Sequence, residues 1–206
     1  MIDELAAVCG RTVSRETLAA LSRYAKLLRE ENAHQNLVSA STLDSLWERH
    51  ILDSAQLARF EPRAGASWLD IGSGAGLPGI VVALLVTGPV LLVEPRRLRA
   101  EFLGRAIAEL GVSGRVTVAP CKVERVTGSF DTITARAVAS LDRLLAAAHS
   151  LSTGNTLWVL PKGRAAQSEL AEARRSWHCD AESVASRTDP QSAILLLRNV
   201  RARGRE

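Results

Sequence analysis

The sequence predicts an α/β fold: a mostly parallel sheet of about seven strands with helices on both faces, behind an N-terminal helical segment. Three observations carry this. From residue 67 onward, short continuous apolar runs alternate with amphipathic stretches, the pattern of parallel strands buried on both faces. A glycine-rich loop comes directly after the first run. Before residue 60, apolar residues instead recur at three- and four-residue spacing, as amphipathic helices require.

In chain order, Ser14 is suited to cap a helix bearing Leu18, Leu21, Ala25 and Leu28 on one face. A second helix is expected from Thr42, with Leu43, Leu46, Trp47, Ile51, Ser54 and Leu57 along one side, until Pro62 and Gly65 break the pattern. Strands are expected at 67–71, 90–94, 115–119, 131–135 and 156–160. A helix around 165–176 precedes two β-like stretches, ESVAS and AILLL, separated by Thr188-Asp189-Pro190. That pair suits an antiparallel edge hairpin, and the final RARGRE reads as a solvated tail. The expected division is a helical cap over 1–62 and one compact core over 63–206.

Composition sets the outer limits. Of 206 residues, 47 % are apolar and 23 % charged, which excludes disordered and fibrous classes and allows a core without staples. Cys9, Cys121 and Cys179 are scattered and odd in number, with no CxxC. No disulfide framework or metal site is expected, and a reducing cytoplasm is. No apolar run approaches the roughly 18 residues of a membrane span, and the acid-bearing start does not resemble a secretory signal. The net charge is +4, and only Lys26, Lys122 and Lys162 among the basic residues are lysines. Codon bias of a GC-rich genome accounts for the arginine excess ahead of phosphate recognition. Its clustering at Arg96, Arg97, Arg99 and Arg105, and at Arg198, Arg201, Arg203 and Arg205, is more informative.

The loop Asp70-Ile71-Gly72-Ser73-Gly74-Ala75-Gly76-Leu77-Pro78-Gly79 joins the first strand to an apolar helix. Glycines let backbone approach a ligand closely, and the helix start offers free N–H groups. Glu94 ends the second strand, where a carboxylate can accept from a ribose diol. The dinucleotide fingerprint GxGxxG would need glycine at Leu77. The loop instead fits D-x-G-x-G-x-G, that of class I S-adenosylmethionine (SAM) methyltransferases.

With its Leu-Pro-Gly continuation, DIGSGAGLPGI resembles the loop of the bacterial small-subunit rRNA guanine-N7 methyltransferase family, also called glucose-inhibited division protein B. Collinear blocks extend the resemblance over about residues 14–164: NLVS at 36–39, RHILDS at 49–54, Glu94-Pro95 with Arg99 and Phe102-Leu103, ARAVASL at 135–141 and LPKG at 160–163. RHILDS and ARAVASL are the specific ones, since a generic SAM fold requires neither. Leu98 and Pro161 depart from the family pattern, and Lys122 replaces an arginine with charge kept. The resemblance implies a cytoplasmic, monomeric enzyme that uses SAM, releases S-adenosylhomocysteine and methylates 16S rRNA in the small subunit.

The resemblance, with the loop itself, assigns the cofactor to Gly72, Gly74, Gly76, Leu77, Glu94, Val123, Glu124 and Arg136. Leu77 is expected to pack on the adenine or the methionine stem. RNA contacts are expected from Asn36, His50, Asp53, Arg96, Arg97, Arg99, Lys162 and Arg164. No catalytic base is assigned, because guanine N7 is already a lone pair; Arg136 is given an orienting role towards cofactor or base. His50 and Asp53 share a helix face, which serves either the substrate pocket or docking of the cap. His34, His149 and His178 are read as surface or structural residues. Pro120-Cys121 comes after the third strand rather than the fourth, so Cys121 is read as a small buried cysteine and not a nucleophile. HExxH, GxSxG, the P-loop and an Asn-Pro-Pro-aromatic loop are absent. The rivals are an NAD(P)-dependent oxidoreductase and an rRNA- or SAM-binding assembly factor without turnover.

Overall fold

The computed structural model describes residues 1–204; Arg205 and Glu206, part of the expected tail, lie outside the described residues. The N-terminal segment opens with α1 (Ile2–Cys9) and α2 (Arg15–Asn32). Ser14 Oγ accepts the Thr17 N–H and caps α2 as its sequence requires. The expected second helix is interrupted. It consists of α3 (Ala40–Leu43), a π-helical turn (Trp47–Leu52), α4 (Asp53–Ala55) and a 3₁₀ turn (Gln56–Phe60). Leu46, Ile51, Ser54 and Leu57 are buried as expected, while Leu43 and Trp47 are only half-buried. The π turn lies in the RHILDS block, and such turns re-aim side chains at functional sites.

The core alternates strand and helix: β1 (Trp68–Ile71), α5 (Gly79–Leu85), β2 (Val90–Val93), α6 (Arg97–Glu109), β3 (Val116–Ala119), β4 (Thr132–Ala135), α7 (Leu141–Ala148), β5 (Leu157–Lys162) and α8 (Ala166–Ala173). β6 (Trp177–Ala185) and β7 (Ala193–Ala202) complete a seven-stranded sheet of order β3-β2-β1-β4-β5-β7-β6. β1 to β5 are parallel, and β7 runs antiparallel to both β5 and β6. The edge hairpin is therefore present but longer than the sequence suggested. β7 extends through Ala202, so the start of RARGRE is strand and the chain leaves the sheet only at Arg203.

Alternation along the strands separates two apolar layers. Trp68, Leu92, Val159 and Ile194 share a cluster with α5, α6 and the cap residues Leu5, Leu21, Leu28, Ile51 and Leu57. Leu69, Ile71, Ile133, Trp158 and Leu195 pack with α7 and α8 on the other face. The cap thus shares one apolar layer with the sheet face that holds α5 and α6. Order reverses at β1, with β2 on one side and β4 on the other. Ligands of open α/β sheets sit at the carboxyl ends flanking such a point.

Candidate active site

The glycine loop leaves β1 at this reversal. Gly72, Gly74 and Gly76 hold φ values of 66°, 54° and 89°, a region costly for residues with a Cβ. Space is as restrictive as torsion: a Cβ on Gly72 would stand 2.6 Å from Val138 Cγ2. A cavity of about 370 Å³ opens beside the loop, bounded by Gly72, Glu94, Arg99, Val123, Glu124 and Val138 among others. Glu94 is 3 % exposed. Its Oε2 accepts the Gly74 N–H at 2.9 Å and its Oε1 the Arg96 N–H at 2.9 Å. These bonds fix the plane of the carboxylate while leaving lone pairs for a diol. A cavity at the carboxyl edge, a loop whose glycines bring backbone close, and a pre-oriented buried acid fit a nucleoside with a flexible charged tail, as SAM is.

Behind the loop, Asp70 is 1 % exposed and neither carboxylate oxygen has a hydrogen-bond partner. Burial pushes its pKa up to about 7. Gly79 makes room for it, since a Cβ there would stand 2.5 Å from Asp70 Oδ2 and 2.4 Å from Leu92 Cδ2. The Leu77 side chain is 4 % exposed within the main core, and Leu77, like Gly74 and Gly76, is not among the residues that bound the cavity.

Sequence reasoning missed Tyr24. Fully buried on α2, its hydroxyl donates to the Ala75 carbonyl of the loop at 2.7 Å. Burial raises its pKa far above the usual phenol range, so it remains a donor. The available signal was that a lone tyrosine sits on an apolar helix face, where a buried hydroxyl must find an acceptor. Asn32 was missed too; its Oδ1 accepts the Leu37 and Val38 N–H groups and shapes the NLVS turn.

The two specific blocks meet in space. Arg136, just past β4, donates from Nη1 to His50 Nδ1 at 3.3 Å and lies 3.5 Å from Asp53 Oδ2. With Nδ1 accepting, the proton sits on Nε2, which donates to Thr42 Oγ1 at 2.9 Å. Burial first, and the Arg136 charge second, lower the His50 pKa to about 4. Asp53 Oδ1 accepts from Gln56 Nε2 at 2.9 Å and from Thr188 Oγ1 at 2.8 Å. Arg136 borders cavities of about 260 and 180 Å³ in this region, and it does not line the one beside the glycine loop.

The other expected RNA residues divide. Arg96 and Arg99 line the loop cavity, whereas Arg97 pairs with Glu101 at 2.7 Å on the solvent side of α6. Arg105 reaches Glu31 of α2 at 2.6 Å. Lys162 binds Glu169 at 2.8 Å beside Arg136, and Arg164 bonds Gln191 of the hairpin turn. Asn36 is exposed and joins neither cavity. Cys121 is half-buried, not buried, because the loop after β3 is partly open to solvent. His34, His149 and His178 are exposed, with His149 against the Trp177 ring. Among the described residues, no helix is long and apolar enough to cross a membrane and no His/Cys/Asp/Glu cluster could hold a metal.

Residues 17–194 match the family described as "GidB: rRNA small subunit methyltransferase G". The chain belongs to that family. A "Ribosomal RNA small subunit methyltransferase G" of Rhizorhabdus wittichii is 47% identical over 196 residues, which cover 94% of this chain and 90% of the relative. Its namesake from Zymomonas mobilis is 46% identical over 197 residues, covering 91% and 88%. Among solved structures, a SAM-dependent methyltransferase from Aquifex aeolicus matches with a TM-score of 0.59 at 13% identity, over 75% of this chain and 92% of that one. A ribosomal protein L11 methylase from Lactobacillus delbrueckii subsp. bulgaricus gives 0.57 at 16% identity, over 72% and 75%. These likenesses fix the class I SAM methyltransferase fold. Membership of the GidB family makes the chain a SAM-dependent methyltransferase within it.

Proposed function

We propose that the chain transfers the methyl group of SAM to N7 of a guanine in the 16S rRNA of the small ribosomal subunit. The observation that carries the reading is the adjacency of two sites: the loop cavity ends at Ala137 and Val138, and Arg136 opens the next cleft. A donor and an acceptor in these two spaces would meet across three consecutive residues.

In this reading Gly72, Gly74 and Gly76 leave room for the methionine part, and Glu94 takes the ribose hydroxyls. Val123 and Glu124 wall the adenine. SAM supplies an electrophilic methyl on a sulfonium. Guanine N7 is a free lone pair on the major-groove edge, so no residue need remove a proton before attack. The protein contributes alignment, holding N7 and the methyl carbon at near-attack distance. Arg136, braced by His50 and Asp53, orients the acceptor base. Positive charge moves from sulfur to purine, and buried Glu94 borders the donor's cavity while half-buried Asp53 borders the acceptor's. Arg96 and Arg99 flank the cavity mouth and provide cations for rRNA phosphates.

The test is transfer of labelled methyl from SAM to small subunits from a strain lacking the gene, with naked 16S rRNA in parallel. The expected product after nucleoside digestion is 7-methylguanosine. SAM binding without any transfer would overturn the enzymatic reading in favour of an assembly factor.

A further inference from the structure

A cleft of about 260 Å³ lies next to the cofactor cavity, walled by His50 and Asp53 of the cap, Arg136 past β4, and Thr188, Asp189 and Ser192 of the β6–β7 turn. The turn is the unexpected wall. It belongs to the antiparallel edge of the sheet, yet it is pinned against the cap. Gln56 is 1 % exposed. It accepts the Arg187 N–H at 2.9 Å and donates to Asp53 and Thr188. Ser186 Oγ accepts the Thr188 and Asp189 N–H groups at 3.2 and 3.3 Å.

Within this turn the Asp189 carboxylate is fixed at both oxygens. Oδ1 accepts the Gln191 N–H at 2.9 Å and Oδ2 the Ser192 hydroxyl at 2.8 Å. Each bond uses one lone pair, so each oxygen keeps capacity for another donor. Asp53 is differently employed: its Oδ1 already accepts two bonds and its Oδ2 faces Arg136. Asp189 is thus an oriented carboxylate of the cleft with two acceptor positions side by side.

Guanine presents N1–H and its 2-amino group as adjacent donors on one edge, with N7 and O6 towards the other. Adenine has an acceptor at N1 and lacks the 2-amino group. A carboxylate pair of acceptors therefore selects guanine. A base gripped at that edge by Asp189 turns N7 away from the hairpin, towards residues 136–138 and the cofactor cavity. Arg136 is then available to donate to O6. We propose that this cleft receives the target guanine, flipped out of its RNA helix, and that Asp189 reads its N1–H and 2-amino group. The inference rests on the N7-methylation reading.

The experiment first maps 7-methylguanosine in subunits modified by the wild-type protein, then rebuilds the 16S rRNA with inosine at that position. Inosine keeps N7, O6 and N1–H and lacks only the 2-amino group. The wild type is expected to methylate inosine about tenfold more slowly, the loss of one hydrogen bond to a charged acceptor. Asp189→Asn is expected to slow guanosine methylation by at least about tenfold, to treat the two bases alike, and to bind SAM with wild-type affinity by calorimetry. Equal wild-type rates on inosine and guanosine would overturn the assignment without reference to any variant. So would an Asp189→Asn protein that keeps both full activity and full discrimination. Absence of 7-methylguanosine in the first step would instead remove the methylation reading, and the assignment with it.

Discussion

The two cavities that flank residues 136–138 are built in opposite ways. The loop cavity is made from the ends of successive parallel strands: the glycine loop after the first, the acid at the end of the second, the short helical turn after the third, and Ala137 and Val138 after the fourth. Its glycine wall is shaped by what is missing, since a Cβ on Gly72 would collide with Val138. The adjoining cleft is assembled from segments around 50, 136 and 189, and consists almost entirely of charged and hydroxyl side chains that hold one another. The first is a local backbone shape; the second is a tertiary polar network, in which each member depends on distant partners.

That contrast can be broken by mutation. The largest effect is expected at Arg136, where replacement by Ala strips His50 and Asp53 of their shared partner. Methyl transfer should fall about 100-fold, the usual scale for losing alignment, while SAM affinity stays within about twofold. A comparable loss of SAM binding, read by calorimetry, would mean that the two cavities are one site. Next comes Tyr24→Phe, which leaves the Ala75 carbonyl buried without its donor. Such losses cost about 1–3 kcal/mol. Denaturant unfolding should register this, and SAM binding should weaken while turnover at saturating SAM holds.

Gly72→Ala tests the backbone side of the contrast. A left-handed φ costs an L-residue about 1–2 kcal/mol, so SAM affinity should drop about tenfold. Pairing it with Val138→Ala relieves the 2.6 Å collision but not the torsion, and should restore only part. Full restoration would show that space alone dictates the glycine.

The smallest effect is in pH dependence, where the two regions have opposite signs. Between about pH 6.5 and 4 the unfolded chain protonates its His50 imidazole while the folded one does not, so this group's stabilisation is lost as pH falls. Asp70 retains a proton in the folded state up to about pH 7 that the unfolded chain releases near 4, so its contribution is lost as pH rises. His50→Gln should therefore tilt a melting-temperature profile towards acid stability and Asp70→Asn towards alkaline stability. Parallel profiles for the three proteins would contradict both shifts.

The same contrast decides what was legible. Parallel strands, the edge hairpin and the glycine loop are consequences of periodicity and of glycine's torsional freedom, which act within a few residues. The cleft is not. Nothing local in RHILDS distinguishes a π turn from a regular helix, and nothing in ARAVASL shows that Arg136 will meet His50. Gln56 and Asp189 have no motif around them; Gln56 matters through contacts with Arg187 and Thr188 that span about 130 residues of chain, and Asp189 reaches the cleft because those contacts pin its turn. The burial of Leu77 was not legible because its neighbours in sequence are loop residues, whereas its neighbours in space are core. Cys121 was misjudged in the opposite direction, placed inside when its loop lies half-open.

The shared apolar layer sets an order of events during synthesis. The cap is made first, yet the layer that holds Leu21, Leu28, Ile51 and Leu57 is completed only by α5, α6 and the later strands. A nascent chain that ends near residue 60 has that layer incomplete, and helices in proteins owe most of their stability to such packing. The N-terminus must therefore wait, unpacked, until α5 and α6 have emerged. Chaperone capture and proteolysis of stalled chains should concentrate in that interval, and the finished protein cannot be trimmed to its methyltransferase core without leaving the same layer bare.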